Sequence, residues 1–302
     1  MDQIGVTVLG FGNVGNFVVK ALANAPDMEL KGVVELPSKI NYLQESYPKI
    51  TFVDDIAKLN NVQVAILTVP SNMVSKIAPA ILNKGINTVD AYDIHGDKTS
   101  NLRNQLNTVG IQCGAVSVIG AGWDPGTDSM IRAVFEIMAP EGITYTNFGP
   151  GMSMGHTVAA KSVPGVKNAL SLTVPKGLGF HKRLVYIEVD NHMNKAEIVN
   201  RVKKDPYFAS DETLVIPINN VEKLLDYGHS VSMERKGVAS QAHNQRFSYS
   251  ASITNPAVTA QVMVAAARAS TKQTSGCFAV LEIPLIDFLP DCDKEQIIKQ
   301  IV

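Results

Sequence analysis

Apolar and polar positions follow two different rhythms along this chain, and the change between them divides it. Ile4–Leu9 is apolar and rich in β-branched residues, and it runs directly into Gly10, as a strand entering a tight loop does. Beyond the loop, Val14, Val18, Ala21, Leu22 and Ala25 recur at helical spacing until Pro26 stops the run. Leu30–Glu35 predicts a second strand and completes a β-α-β unit. Val62–Val69 is short and β-branched, the composition of a strand buried on both faces. Pro70 and Ser71 open a helical stretch that Gly85 ends, Ile86–Asp90 predicts another strand, and Asp97–Gly110 another helix. Strand and helix alternating in this way predict an α/β unit, a Rossmann-type doubly wound parallel sheet.

After Trp123 the rhythm shortens to two residues. Leu184–Val189, Thr213–Ile218, Val231–Arg235 and Gln245–Ile253 read as strands with few helices between them. In the last, Phe247, Tyr249, Ala251 and Ile253 alternate with Ser248, Ser250 and Ser252, which makes one apolar and one polar face. The pattern predicts an α+β domain whose antiparallel sheet is covered on one side. A helix from Pro256 to about Ala269 follows, with Asn255 as its cap and Pro256 at its first position. The expected division is a dinucleotide-binding domain over 1–122, a substrate-binding and dimerisation domain over 123–254, and a C-terminal segment over 255–302.

Composition narrows the class. The 302 residues are 45% hydrophobic and carry a net charge of −1, with no run of Lys or Arg to meet nucleic acid or an anionic membrane. No apolar stretch reaches the length that spans a bilayer, and a first strand beginning by Ile4 leaves no room for a signal peptide. Cys113, Cys277 and Cys292 are few and far apart, the usage of a reducing compartment. No cluster of His, Cys, Asp or Glu has metal-ligand spacing, and no nucleophile elbow is present. A soluble, cytoplasmic protein acting on a small molecule is expected.

Gly10-Phe11-Gly12-Asn13-Val14-Gly15 follows a strand and opens a helix, the context in which G-x-G-x-x-G binds a dinucleotide. Gly10 permits the turn, Gly12 lets a pyrophosphate approach, Gly15 lets helix and strand pack, and the free N–H groups of Asn13 and Val14 face the phosphates. Thr68 and Val69 at the end of the Val62–Val69 strand with Pro70 after it, and Tyr92 and Asp93 after Asp90, are expected to line the same groove. Glu35 ends the second strand about 20 residues beyond the last glycine, where an acid hydrogen-bonds the ribose 2′-hydroxyl of NAD. Ser38 and Lys39 lie just beyond and are placed to hold a 2′-phosphate if Glu35 turns outward.

Two further segments are dense in glycine and proline: Gly122-Trp123-Asp124-Pro125-Gly126-Thr127-Asp128, and Asn147-Phe148-Gly149-Pro150-Gly151-Met152-Ser153-Met154-Gly155-His156. Such backbone makes poor helix and poor strand and suits close approach to a ligand. With the glycine loop, these segments make the chain resemble the meso-diaminopimelate dehydrogenase family over nearly its whole length, to the C-terminal Leu285-Ile286-Asp287-Phe288-Leu289-Pro290. The resemblance implies that the C-terminal segment returns to the nucleotide domain, that the protein is a homodimer, and that NADP is the cofactor. NAD stays open because Glu35 stands where the family carries arginine.

The resemblance also implies a site for an amino acid with two ammonium and two carboxylate groups. Asp90 and Asp124 would accept hydrogen bonds from the reacting ammonium, and Trp123 and Phe148 would wall the carbon chain. Thr173, Arg183, His229 and Asn255 would hold the distal head, with Arg183 suited to a two-pronged carboxylate contact. The Met154 and Gly155 backbone would touch substrate, and His156 is a candidate general base. The implied reaction is reversible oxidative deamination of the D-centre of meso-2,6-diaminopimelate to a 2-oxo acid and ammonia, in lysine biosynthesis. The short stretch Lys176–Phe180 matches a compact subgroup that acts on other D-amino acids, so a broad-range D-amino-acid dehydrogenase is the first alternative. A non-catalytic dinucleotide sensor is the alternative of another class.

Overall fold

The computed structural model describes residues 3–190, 192–224, 228–290 and 294–302; Cys292 lies outside them, as does the Met154 side chain. The chain forms two compact units, one of residues 1–133 with 256–302 and one of 134–255. The first boundary therefore falls beyond Gly122. The reason is local: Ala121 N–H donates to the Asp90 carbonyl and Trp123 N–H to the Thr259 hydroxyl, so the Gly122–Gly126 turn is tied to the first unit.

The first unit begins β1 (Ile4–Leu9), α1 (Asn13–Leu22), β2 (Met28–Val34), α2 (Pro37–Ser46), β3 (Phe52–Val53), β4 (Val64–Leu67), α3 (Ser71–Leu82), β5 (Asn87–Asp90), α4 (Asp97–Cys113) and β6 (Val116–Ile119). Helix α5 (Thr127–Met138) carries the chain into the second unit. Every pairing in the first sheet is parallel. Its order places β1 between β2 and β4, so the helices after β1 and after β4 leave from opposite directions and open a crevice at the carboxyl ends of those strands. Val6, Val8, Ile66, Val89 and Val118 pack one sheet face with Val18 and Leu22 of α1. Leu67 and Ile119 pack the other with Val74 and Leu82 of α3 and Leu102 and Leu106 of α4. Alternate strand positions thus serve both faces, which is why these strands read as continuous apolar runs.

The second unit contains β7 (Glu141–Phe148), β8 (Gly151–Met152), α6 (Met154–Ser162), β9 (Val166–Gly177), β10 (Phe180–Val189), α7 (Lys195–Lys204), β11 (Glu212–Pro217), β12 (His229–Ala239) and β13 (Ala242–Ile253). The strands foreseen as one antiparallel sheet fall in two, ordered β11-β10-β9-β8 and β13-β12-β7. The second is antiparallel throughout, whereas β10 and β11 pair in parallel. Helix α7, which the two-residue rhythm did not announce, is the crossover that a parallel pair requires. β9 and β10 close through Leu178-Gly179, both with positive φ (55° and 83°), the geometry of a two-residue hairpin turn.

The chain then enters α8 (Asn255–Ser270), β14 (Gly276–Ala279), α9 (Leu285–Phe288) and α10 (Lys294–Ile301). α8 begins at Asn255 itself, one residue earlier than expected. Strand β14 pairs with β6 and completes the seven-stranded sheet. Among the described residues no helix is long and apolar enough to cross a membrane.

One ion pair ties the C-terminal segment down. Arg268 of α8, 4% exposed, donates from Nε and Nη2 to the two oxygens of Asp27 and from Nη1 to the Phe288 carbonyl. Removing one partner of a buried pair leaves the other charge uncompensated. Arg268→Ala is expected to cost about 3 kcal/mol, read as a lower urea midpoint at unchanged slope.

Candidate active site

The crevice beside β1 is a groove of about 440 Å³ lined by Gly10, Gly12, Glu35, Lys39, Thr68, Val69 and Pro70 among the foreseen residues, and also by Phe11 and Asp54. Gly10 has φ +95°, and a Cβ there would press on the Thr68 carbonyl at 2.8 Å; one on Gly15 would strike the Gly10 carbonyl at 2.2 Å. A Cβ on Gly12 would meet nothing within 4 Å, so it would occupy the groove itself. The Thr68 hydroxyl donates to the Leu9 and Gly10 carbonyls and fixes the loop. Helix α1 starts at Asn13 with no side-chain cap, which leaves its dipole end for an anionic ligand. These features fit a dinucleotide pyrophosphate.

Glu35 is turned inward. Its side chain is 7% exposed, and it accepts from the Phe11 N–H at 2.8 Å, the Leu36 N–H at 2.9 Å and Lys39 Nζ at 3.3 Å. Burial alone would raise its pKa, but the two backbone donors and Lys39 outweigh it and hold the carboxyl below its usual range. Ser38 is exposed and is not among the lining residues. Tyr92 is buried, and Asp93 accepts from the Ser71 hydroxyl at 2.6 Å.

The carboxyl end of β5 holds Asp90, which is fully buried. Oδ1 accepts from the Tyr92 N–H at 2.9 Å, while Oδ2 has no hydrogen-bond partner among the described residues. Burial pushes the carboxyl up to about 7, against the backbone donors of Tyr92 and Gly120. Asp124, in the Gly-Trp-Asp-Pro-Gly turn, is gripped by Arg132 through two bonds of 2.8 and 3.0 Å. Trp123, 3% exposed, lies beside it in the chain. Asp128, four residues before Arg132 on α5, is fully buried, and neither oxygen has a partner at hydrogen-bonding distance among the described residues. Burial, then the charge of Asp124, raises its pKa to about 7, with Arg132 opposing. Arg132 and Asp128 were not foreseen, although their spacing on one helix face is visible in the sequence.

The second unit gathers the other foreseen residues. Thr173 and Arg183 are register partners on β9 and β10, and Arg183 Nη1 donates to the Thr173 hydroxyl. Arg183 Nε donates to Asp211 Oδ2 at 2.7 Å, and His156 Nε2 stands 3.9 Å from the same oxygen. His156 is held by the Ser153 hydroxyl, 2.9 Å from Nδ1, and by edge contacts with Tyr207 and Phe208. Burial, then the Arg183 charge, keeps its pKa below the usual range despite Asp211. Phe148 stacks on His229 with ring centres 6.4 Å apart and meets His181 edge-on at 6.2 Å. Met154 and Gly155 begin α6, and Asn255 begins α8. Thus His156 accompanies Arg183 and Asp211, while Asp90 and Asp124 belong to the first unit. Asp211 was missed because only the parallel pairing of β10 with β11 brings it to Arg183.

A family model described as the diaminopimelic acid dehydrogenase C-terminal domain matches residues 122–254. A meso-diaminopimelate D-dehydrogenase of Bacteroides fragilis is 48% identical over 302 residues, covering all of both chains. The chain belongs to the meso-diaminopimelate dehydrogenase family. Among solved structures, the Corynebacterium glutamicum enzyme in complex with DAP superposes with a TM-score of 0.85 at 27% identity, over all of both chains. An engineered D-amino acid dehydrogenase bound to NADP+ has a TM-score of 0.80 at 26% identity, over 99% of this chain and 100% of its own. The family's enzymes are NAD(P)-dependent oxidoreductases acting on CH–NH2 groups. Among the described residues no group of side chains is arranged to hold a metal ion.

The buried acid makes stability depend on pH in a definite direction. Asp128 keeps its proton in the folded protein up to about pH 7, whereas an unfolded chain releases it near pH 4. Its contribution to stability is whole below that lower value and is lost as the pH rises through the higher one. Asn mimics the neutral acid at every pH. Asp128→Asn should therefore gain about 2 kcal/mol on the unmodified protein between pH 5 and pH 8, measured by urea unfolding at both.

Proposed function

We propose that this protein catalyses the reversible, NAD(P)-dependent oxidative deamination of the D-centre of meso-2,6-diaminopimelate. The observation that carries this reading is Asp90, a buried acid at the end of β5 with one oxygen lacking a partner among the described residues, in the unit that also holds the glycine loop. An ammonium group is a donor from which such an oxygen accepts a strong, charge-assisted hydrogen bond. A nicotinamide nucleotide held at the Gly10–Gly15 loop would supply the acceptor for the Cα hydride; the amine would give up a proton, and water would convert the resulting imine to a 2-oxo acid and ammonia.

The residues divide the work by charge state. Asp90, poised near pH 7, takes the proton of the reacting ammonium, as a general base matched to neutral pH does. Asp124, clamped by Arg132, orients that ammonium, and Trp123 and Phe148 wall the chain. Thr173, Arg183, His229 and Asn255 bind the distal head, with the Met154 and Gly155 backbone. His156 stands with Arg183 and Asp211, so its proposed role is to position that pair; as the candidate base it yields to Asp90.

For the nucleotide, Glu35 favours NAD over the NADP that family resemblance implies. Both its oxygens are fixed by backbone N–H groups, and the cation beside it, Lys39, is already its ion-pair partner. A ribose 2′-hydroxyl can donate to this carboxylate; a 2′-phosphate is repelled by about 4 kcal/mol per charge pair at 4 Å and an effective dielectric of 20, less with solvent screening. Gly12, Asn13, Val14 and Gly15 hold the pyrophosphate. Thr68, Val69, Pro70, Tyr92 and Asp93 complete the proposed contacts, while Ser38, placed for a 2′-phosphate only if Glu35 turned outward, has no part in an NAD site. A cytoplasmic homodimer fits this reading, since the second unit exposes apolar side chains including Ile137 at 80% and Ile143 at 59%.

Initial rates with meso-diaminopimelate and each nucleotide test the assignment. Reduction of NAD with a higher kcat/KM than NADP is expected, and Glu35→Ser should move that ratio toward NADP by about tenfold or more. Asp90→Asn should lower kcat by about a hundredfold. Absence of turnover with both nucleotides would remove the dehydrogenase reading.

A further inference from the structure

Asp211 immediately precedes β11 and figures above only as the partner of Arg183, with no contact to substrate assigned to it. The parallel register sets Arg183 of β10 opposite Thr213 of β11, which brings Asp211 to the Arg183 end of the sheet. Arg183 is 11% exposed at its side chain and Asp211 27%. The pair is therefore largely sheltered yet reachable. Arg183 spends Nε on Asp211 Oδ2 and one Nη1 hydrogen on Thr173, and among the described residues no hydrogen bond takes up Nη2 or Asp211 Oδ1. Asp211 also lines a groove of about 510 Å³ with Lys176, Phe180 and His181.

An acid on this guanidinium is costly if Arg183 serves only to bind a carboxylate. It cancels the charge that attracts the ligand, and it repels the ligand directly. Nor is it needed for orientation, because Thr173 already fixes one arm. A zwitterionic head reverses the balance. Its carboxylate and ammonium leave the same carbon and lie a few ångström apart, and they meet a cation and an anion held side by side, Arg183 Nε 2.7 Å from Asp211 Oδ2. The histidines nearby do not spoil this match. His156 and His181 both hold their protons more weakly than usual, chiefly through burial and then through Arg183, which weakens any positive charge they would set against the ammonium.

We propose that Asp211 accepts the ammonium of the substrate's distal amino-acid head, so that Arg183 and Asp211 together select a zwitterionic end over a lone carboxylate. The inference rests on the reading of this unit as the distal-head site of a diaminopimelate. It adds a determinant to that reading: the distal end is recognised as an amino acid, through two charges of opposite sign.

The test compares meso-diaminopimelate with D-2-aminopimelate, which lacks only the distal ammonium, for the unmodified enzyme, Asp211→Asn and Asp211→Glu. The unmodified enzyme should favour the diamino substrate by about tenfold or more in kcat/KM. In Asp211→Asn the loss should fall mainly on KM for meso-diaminopimelate, while kcat/KM for D-2-aminopimelate rises because the repelling charge is gone. Asp211→Glu should restore part of the preference. Equal losses on both substrates would mean that Asp211 only braces Arg183, and the inference would fall. Indifference of the unmodified enzyme to the distal ammonium would overturn it as well, and that comparison needs no variant to fold. An unmodified enzyme that turns over neither substrate with either nucleotide would instead remove the dehydrogenase reading, and this inference with it.

Discussion

A carboxylate removed from water must find charge or hydrogen bonds, or else keep its proton. The first unit is organised around that constraint. Its parallel sheet ends β5 in Asp90, with one oxygen satisfied by the next turn of backbone and the other by nothing among the described residues. Asp128, at the start of α5, has neither oxygen at hydrogen-bonding distance of a partner among the described residues. Asp124 is not, because Arg132 grips both its oxygens. Three acids in one unit thus stand in different states. One is gripped at both oxygens by a guanidinium, and two are driven toward neutrality by burial. This is how a single residue type can both orient a cation and take its proton at neutral pH.

Asp128 also shapes its neighbours. Arg132 lies four residues along the same helix and serves Asp124 with two of its donors. While Asp128 keeps its proton, the guanidinium has one anion to satisfy. When Asp128 ionises, two anions compete for one cation, and the grip on Asp124 weakens. The charge state of a residue with no place in the proposed substrate contacts therefore bears on one that is proposed to make them.

Much of this architecture was readable from the residues. Ile4–Leu9, the glycine loop and the helical spacing from Val14 to Leu22 marked β1 and α1, because apolar period and turn chemistry agree there. The alternating serines after Phe247 marked β13 for the same reason. Helix α2 and the two-residue β3 escaped notice: one is mostly polar, and the other is too short to show a period. The partition of the second unit into two sheets escaped as well, since strand pairing depends on crossover connections that a local pattern does not encode. The site followed the same division. Residues inside glycine-rich segments, such as Asp124 and Phe148, could be named in advance. Arg132 and Asp128 needed α5 to be placed, and Asp211 needed the parallel register of β10 and β11. Glu35 was noticed, but whether it faced inward depended on the Phe11 and Leu36 N–H groups, which only the folded loop presents.

Glu35 and Asp211 then acquire a common sense. Each lies beside a cation, Lys39 in one unit and Arg183 in the other, at a place where a lone arginine would bind an anion well and indiscriminately. The added acid lowers the attraction for a phosphate or a bare carboxylate and creates an acceptor for a hydroxyl or an ammonium. Discrimination between closely related ligands grows from such a repulsion as much as from any new contact. An arginine alone reads negative charge. The same cation with a carboxylate fixed at its side reads which group the ligand carries next to that charge, and a dehydrogenase choosing between NAD and NADP, or between an amino acid and its deaminated analogue, must make that distinction.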